Sequence, residues 1–217
     1  NVNVNFLKKL YTKSGQMFTI DTSTWLTYFN NVILPDYDTN PNQIIYDNLK
    51  GHAITKGLSL NVDAALSNGI KLLIGATLQD VSQTENGETT RQILTEQFSG
   101  TWAVSYKSYK HHLTFDYTGN IYGPMRLPLL GELDPRQANS PTWSIQNIQA
   151  TFDGWNNFEI YGDIKNILNW TPNRNNPFII ARADDPFDEN VAFDANGNAL
   201  ATPENPYALT FDPSYVY

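Results

Sequence analysis

The stretch Ile54-Thr-Lys-Gly-Leu-Ser-Leu-Asn-Val-Asp-Ala-Ala-Leu66, the tripeptide Ser67-Asn68-Gly69 and the stretch Ile70-Lys-Leu-Leu-Ile-Gly-Ala-Thr-Leu78 decide the fold. In the first segment Ile54, Leu58, Leu60, Val62, Ala64 and Leu66 fall on one face, and Thr55, Gly57, Ser59, Asn61 and Asp63 on the other; only Lys56 and Ala65 break the pattern. In the second, Ile70, Leu72, Ile74, Ala76 and Leu78 share a face opposite Lys71, Gly75, Thr77 and Gln79. Alternation sustained for about ten residues is the mark of a strand with one apolar and one polar face. The Asn-Gly between the segments supplies the positive φ of a tight turn. A long two-faced hairpin is the expectation.

The same rhythm extends outward. Leu113, Phe115, Tyr117, Gly119 and Ile121 alternate with Thr114, Asp116, Thr118 and Asn120, and Phe158 begins another such run. Eight strands are expected, near 2–12, 17–34, 43–66, 69–82, 98–109, 112–122, 142–152 and 157–169. Several exceed the ~5–6 residues usual in globular sheets. Their connections alternate short and long: 13–16, 67–69, 110–111 and 153–156 are short, whereas 35–42, 83–97, 123–141 and 170–217 are longer. Sorting short turns to one end and long loops to the other is the habit of outer-membrane barrels. The fold class expected is therefore all-β, an antiparallel transmembrane β-barrel segment. Residues 1–169 supply barrel strands, and 170–217 a long extracellular loop with a small hairpin at Asn196-Gly197.

Composition narrows the function. The 217 residues include no cysteine, which removes disulfides, thiolate metal sites and cysteine nucleophiles. The net charge of −8 argues against nucleic acid, which selects basic surfaces. No window approaches the ~18 apolar residues of a transmembrane helix, but barrel strands average out to mild hydropathy and are not excluded. No Gly-x-Ser-x-Gly elbow, His-Glu-x-x-His or phosphate loop is present, so no enzyme and no cofactor is expected. His111 and His112 are adjacent, point to opposite faces of a strand and cannot chelate one metal together. The acidic residues between Trp170 and Tyr217 (Asp184, Asp185, Asp188, Glu189, Asp194, Glu204, Asp212) raise the question of calcium. No closing Glu follows Asp194-x-Asn196, so Asn196-Gly197 reads as a turn and no metal site is assigned. Trp25, Tyr28, Trp102, Tyr106, Tyr109, Tyr117, Tyr122, Trp143 and Trp170 lie mostly near strand ends, where an interfacial girdle places aromatics.

These residues bring a family into view. Phe158-Glu-Ile-Tyr-Gly-Asp-Ile-Lys-Asn-Ile-Leu-Asn169 resembles the penultimate-strand signature of TonB-dependent receptors, with Tyr161, Gly162, Asn166, Leu168 and Asn169 at its marked positions. Phe29-Asn-Asn-Val-Ile-Leu-Pro35, Asn48 with Gly57-Leu-Ser-Leu60, Tyr122-Gly-Pro-Met-Arg-Leu-Pro128 and Asn205-Pro-Tyr-Ala-Leu-Thr-Phe-Asp-Pro213 are also similar to stretches of such receptors; Ser59 stands where Glu is usual. The resemblance implies the C-terminal part of a 22-stranded barrel, strands 14 to 21, in the outer membrane of a Gram-negative bacterium. Family members carry a plug domain and a last strand that this sequence lacks, so a piece of a longer receptor is expected. The implied function is TonB-dependent, energy-coupled import of a scarce large solute: a ferric siderophore, haem, cobalamin or glycan. The implied partners are the rest of the barrel and plug, TonB, outer-membrane lipid and a surface lipoprotein.

Under this reading Ile54, Leu58, Leu60, Val62, Leu66, Ile70, Leu72, Ile74, Phe115 and Tyr117 face lipid. Thr55, Asn61, Asp63, Thr77, Gln79, Thr114 and Asp116 face the lumen. Two rivals share the composition: a soluble secreted β-sandwich that binds carbohydrate through exposed aromatics, and an outer-membrane barrel enzyme, for which a serine beside His111 or His112 is a poor nucleophile–base pair.

Overall fold

A computed structural model describes residues 1–36, 45–129, 136–171, 178, 192–196 and 200. Eleven strands account for the regular structure: β1 (Val2–Tyr11), β2 (Met17–Phe29), β3 (Ile33–Asp36), β4 (Ile45–Asn48), β5 (Gly51–Ala65), β6 (Ile70–Glu85), β7 (Glu88–Arg91), β8 (Phe98–Ser108), β9 (Leu113–Tyr122), β10 (Trp143–Trp155) and β11 (Phe158–Ile164). The fold is all-β. One antiparallel sheet runs in the order β1-β2-β5-β6-β8-β9-β10-β11, with β7 folded back on β6. Sequence neighbours are spatial neighbours throughout, so the sheet is a meander. It does not close: among the described residues, the outer edges of β1 and β11 have no partner strand.

Register shows what the alternation achieves. Residues paired directly across an antiparallel ladder share a face. Thr24, Leu58, Leu78 and Phe98 lie in one row, and Ile20, Val62, Ile74, Trp102 and Gly119 in another. Farther along, Tyr106, Phe115, Ala150 and Gly162 continue the face. Nine of the ten residues expected on the apolar side therefore fall on one face. Leu66 sits just past β5, its N–H donating to the carbonyl of Ile70 to close the turn. Asn61, Asp63, Thr77, Thr114 and Asp116 fall on the other. Lys56, the break in the pattern, stands opposite Asp80 and pairs with it at 3.3 Å, one row beyond Leu58 and Leu78. That ion pair interrupts the apolar face between Leu58 and Ile54.

The apolar face is open. Leu58, Leu60, Ile74, Leu78, Phe115, Ile148 and Ile164 are each more than two-fifths exposed. Among the described residues no second sheet covers it. The buried apolar side chains are few: Ala64 in the sheet, then Ile93, Met125 and Leu127, which belong to connections.

The connections sort by end. Turns at 12–16, 66–69, 109–112 and 156–157 lie at one end, the turn end; 30–36 with 45–50, 86–97, and 123–129 with 136–142 lie at the other, the loop end. Several expected boundaries differ. The run 17–34 breaks after Phe29, and 43–66 divides at Leu49–Lys50, because β3 and β4 form a separate two-stranded ribbon. The expected loop 83–97 contains a strand, β7, behind a turn whose residues Asn86 and Gly87 have φ of 51° and 83°. The last strand ends at Ile164 and not at 169, because Asn166 and Asn169 take φ of 50° and 48°, which no strand accommodates. Strand β10 runs on to Trp155, with a register shift after Phe152.

Candidate functional site

Chemistry-bearing side chains concentrate at the loop end, where two structures stand together. The first is an asparagine–tryptophan brace. After β11, the left-handed backbone at Asn166 turns the chain, and its side chain holds the turn from both sides. Its Nδ2 donates to the carbonyl of Trp170 (2.9 Å), while its Oδ1 accepts the N–H of Trp170 (3.1 Å). The N–H of Asn166 donates to Oδ1 of Asn147 on β10 (3.0 Å), and Asn169 donates its N–H to the carbonyl of Asn166 (2.8 Å). Trp170 is thereby laid on Trp143, with ring centres 4.7 Å apart and planes within 15°. Trp143 in turn stacks on Tyr122 at 4.3 Å, and Phe178 tilts against both indoles. Each such contact is worth about 0.5–1.5 kcal/mol beyond the area it covers.

This column corrects the girdle expected from sequence. Trp143 and Tyr122 are directly paired and lie on the polar face, and Trp25 lies on the same face over Gly57. Tyr28, Trp102, Tyr106 and Tyr117 are on the apolar face. Tyr109 lies in a turn. Asn166 and Asn169, singled out in the sequence, turn and brace the chain. Tyr161 and Leu168 are exposed. At Gly162 a Cβ would meet nothing within 4 Å, and the missing side chain leaves a dip on the apolar face beside Ala150. At Gly57 a Cβ would collide with the indole of Trp25, so glycine is what lets that ring lie flat.

The second structure is a loop cluster. The β6–β8 connection and the β9–β10 connection are bridged at Ile93–Arg126 and Glu96–Met125, and the β9–β10 connection is bridged within itself at Arg126–Asn139. Leu94 donates its N–H to the carbonyl of Arg126 (2.8 Å), Leu127 to that of Ala138 (2.9 Å), and Ser140 to that of Met125 (2.8 Å). Leu127 is 2% exposed, and Ile93 and Met125 are buried with it. Arg136 is also buried; its guanidinium donates to the carbonyls of Pro128 and Phe178, tying the cluster to the brace. Against the cluster opens a polar hollow of about 370 Å³, lined by Arg91, Thr95, Gln97, Pro124, Arg126 and residues 137–140. Sequence reading missed it, because neither connection carries a periodic signal. The usable clue was Asn86-Gly87, which predicts a hairpin and so an ordered segment after it.

At the turn end Lys107 Nζ lies 2.7 Å from Asp153 Oδ2, and His112 Nδ1 lies 3.6 Å from Oδ1 of the same carboxylate. His112 has φ of 54° and sits with His111 in the turn, so β9 starts one residue later than the expected 112. Among the described residues no group of three or more His, Cys, Asp or Glu is arranged to hold a metal ion. Asp194 accepts the N–H of Asn196 (2.8 Å), and Leu200 donates its N–H to the carbonyl of Ala192 (2.7 Å). Gly197 and the acids Asp184, Asp185, Asp188, Glu189, Glu204 and Asp212 lie outside the described residues. No family model matches this sequence, and no curated protein matches it.

Proposed function

We propose that this chain is part of the wall of a TonB-dependent outer-membrane receptor, a barrel that imports a scarce, large solute such as a ferric siderophore, haem, cobalamin or glycan. The observation that carries the reading is the apolar face, continuous across eight strands and open. A soluble monomer rarely exposes a contiguous apolar patch beyond a few hundred Å². A lipid bilayer is the solvent that makes such a face stable. In support, β5, β6, β8 and β9 have 15, 16, 11 and 10 residues, enough for the ~9–11 that span the hydrocarbon. Connections sorted by end add to this. The receptor class rests on the stretches similar to that family, above all Phe158–Asn169 with its Asn166 turn.

In this reading the polar face lines a lumen gated by a plug. TonB supplies work from the periplasmic side, outer-membrane lipid bathes the apolar face, and a surface lipoprotein is a further partner. Leu60 and Asn61 test it, being neighbours on opposite faces with Leu60 43% exposed. A cation at the bilayer midplane on the lipid side costs ~2–4 kcal/mol, and lumen positions tolerate one. Leu60→Arg should therefore block assembly into the outer membrane, read by heat-modifiable migration on gels, while Asn61→Arg assembles. Equal behaviour of the two variants overturns the proposal.

A further inference from the structure

We infer that the Trp25 indole is a stacking platform for a neutral sugar ring, a glycan subsite on the polar face of the sheet. Gly57 stands directly across from Trp25, and a Cβ there would collide with the six-membered part of the indole, so the ring lies flat on the sheet. Its inner side is against backbone. Trp143 is enclosed between Tyr122 and Trp170, whereas Trp25 has no ring against it among the described residues and is only half-buried. A flat, uncovered indole is a large apolar surface that a ligand can cover.

The surroundings select the ligand. On this face Trp25 is bordered by Asn3, Asn5, Ser23, Thr27, Thr55 and Ser59, through strand pairing and the alternation along β2. None of the six carries an ionisable side chain, in a chain of net charge −8. Along β2 the first acid on the face is Asp21, beyond Ser23 and opposite Asn61. Ser23 donates its hydroxyl proton to Oδ1 of Asn5 (2.6 Å), which leaves the Asn5 amide to donate and the Ser23 oxygen to accept. A pyranose has a side rich in C–H bonds and a rim of hydroxyls. The first covers an indole, and the second exchanges hydrogen bonds with amides and hydroxyls, which both donate and accept. A charged solute would find no opposite charge beside the ring. As part of an import route this subsite rests on the proposed function and selects the glycan from its solutes; as a sugar platform it rests on β1, β2 and β5 alone.

The test is saturation-transfer nuclear magnetic resonance on the intact chain, kept in an amine-oxide detergent that carries no sugar. The probes are neutral maltohexaose, cellohexaose and mannohexaose, with a galacturonic acid hexamer and a glucosamine hexamer as anionic and cationic counterparts. Transfer to the C–H protons of at least one neutral probe is expected, and weaker transfer to the charged pair. Trp25→Ala should raise the dissociation constant about two- to tenfold, the worth of one stacked ring. Ser59→Asp keeps the indole and sets a carboxylate beside it, so it should shift the preference toward the glucosamine hexamer. No transfer to any neutral probe, charged probes matching the neutral ones in the unaltered chain, or an unchanged constant in Trp25→Ala overturns the platform. Where Trp25→Ala does not assemble, Ser59→Asp decides, and an unchanged preference in it overturns the platform too. The barrel reading fails separately: a protein that stays in solution without detergent would refute it and leave the transfer to sugar intact.

Discussion

The eight-stranded sheet and the loop cluster at its rim dispose of their apolar side chains in opposite ways. The sheet has regular ladders from β1 to β11 and keeps almost nothing inside: Leu58, Leu60, Ile74 and Phe115 look outward from its apolar face. The cluster has irregular backbone, yet it buries Ile93, Met125, Leu127, Arg136 and Ser140. Hydrogen-bond order and a hydrophobic core are thus separable. The sheet is organised by its backbone and leaves its apolar side chains uncovered among the described residues. The cluster is organised by its side chains, packed around Leu127. Under the proposed function the sheet would be a wall in lipid and the cluster a cap above it.

That contrast can be broken by substitution. The largest effect is expected at Leu127: Leu127→Ala should cost about 2–5 kcal/mol locally, as core leucine truncations do. Limited proteolysis should then nick the segment around 123–142 while the strands still assemble. Loss of assembly would mean that sheet and cluster are one cooperative unit. The Leu60→Arg and Asn61→Arg pair follows at ~2–4 kcal/mol and acts on the sheet alone.

Next is Asn166→Gly, which tolerates the left-handed backbone and removes both side-chain bonds to Trp170. About 1–3 kcal/mol of local stability should go, with loss of the near-ultraviolet circular dichroism of the Trp143–Trp170 stack. An unchanged spectrum would show that stacking alone holds Trp170. Smallest is Lys107→Met at the turn end. Both partners of the Lys107–Asp153 pair are part-exposed, so the change should be small in a denaturant titration and should shrink with added salt.

Much of the sheet was legible in the sequence. Period two from Ile54 to Leu78 fixed the strands, the turn and the face of each residue, because in an antiparallel meander a neighbour in sequence is a neighbour in space. The breaks were less legible. The amide ties that make Asn166 and Asn169 turn residues depend on Asn147, nineteen positions before Asn166, and on Trp170, so a residue pattern that looks extended stops at Ile164. The stacked Tyr122, Trp143 and Trp170 were read as outward anchors because strand-end position says nothing of face; their pairing register does. The cluster was hidden for a different reason. Ile93, Met125 and Leu127 come from two connections, and their packing has no local period.

Gly57 and Gly119 each leave room for an indole to lie flat on a neighbouring strand, Trp25 over the first and Trp102 over the second, and the two pairs are on opposite faces. The sheet therefore carries a lamp on either side. With the other tryptophans replaced by phenylalanine, brominated acyl chains should dim Trp102 and spare Trp25, and aqueous acrylamide should do the reverse. The light from two side chains would report which way the wall faces.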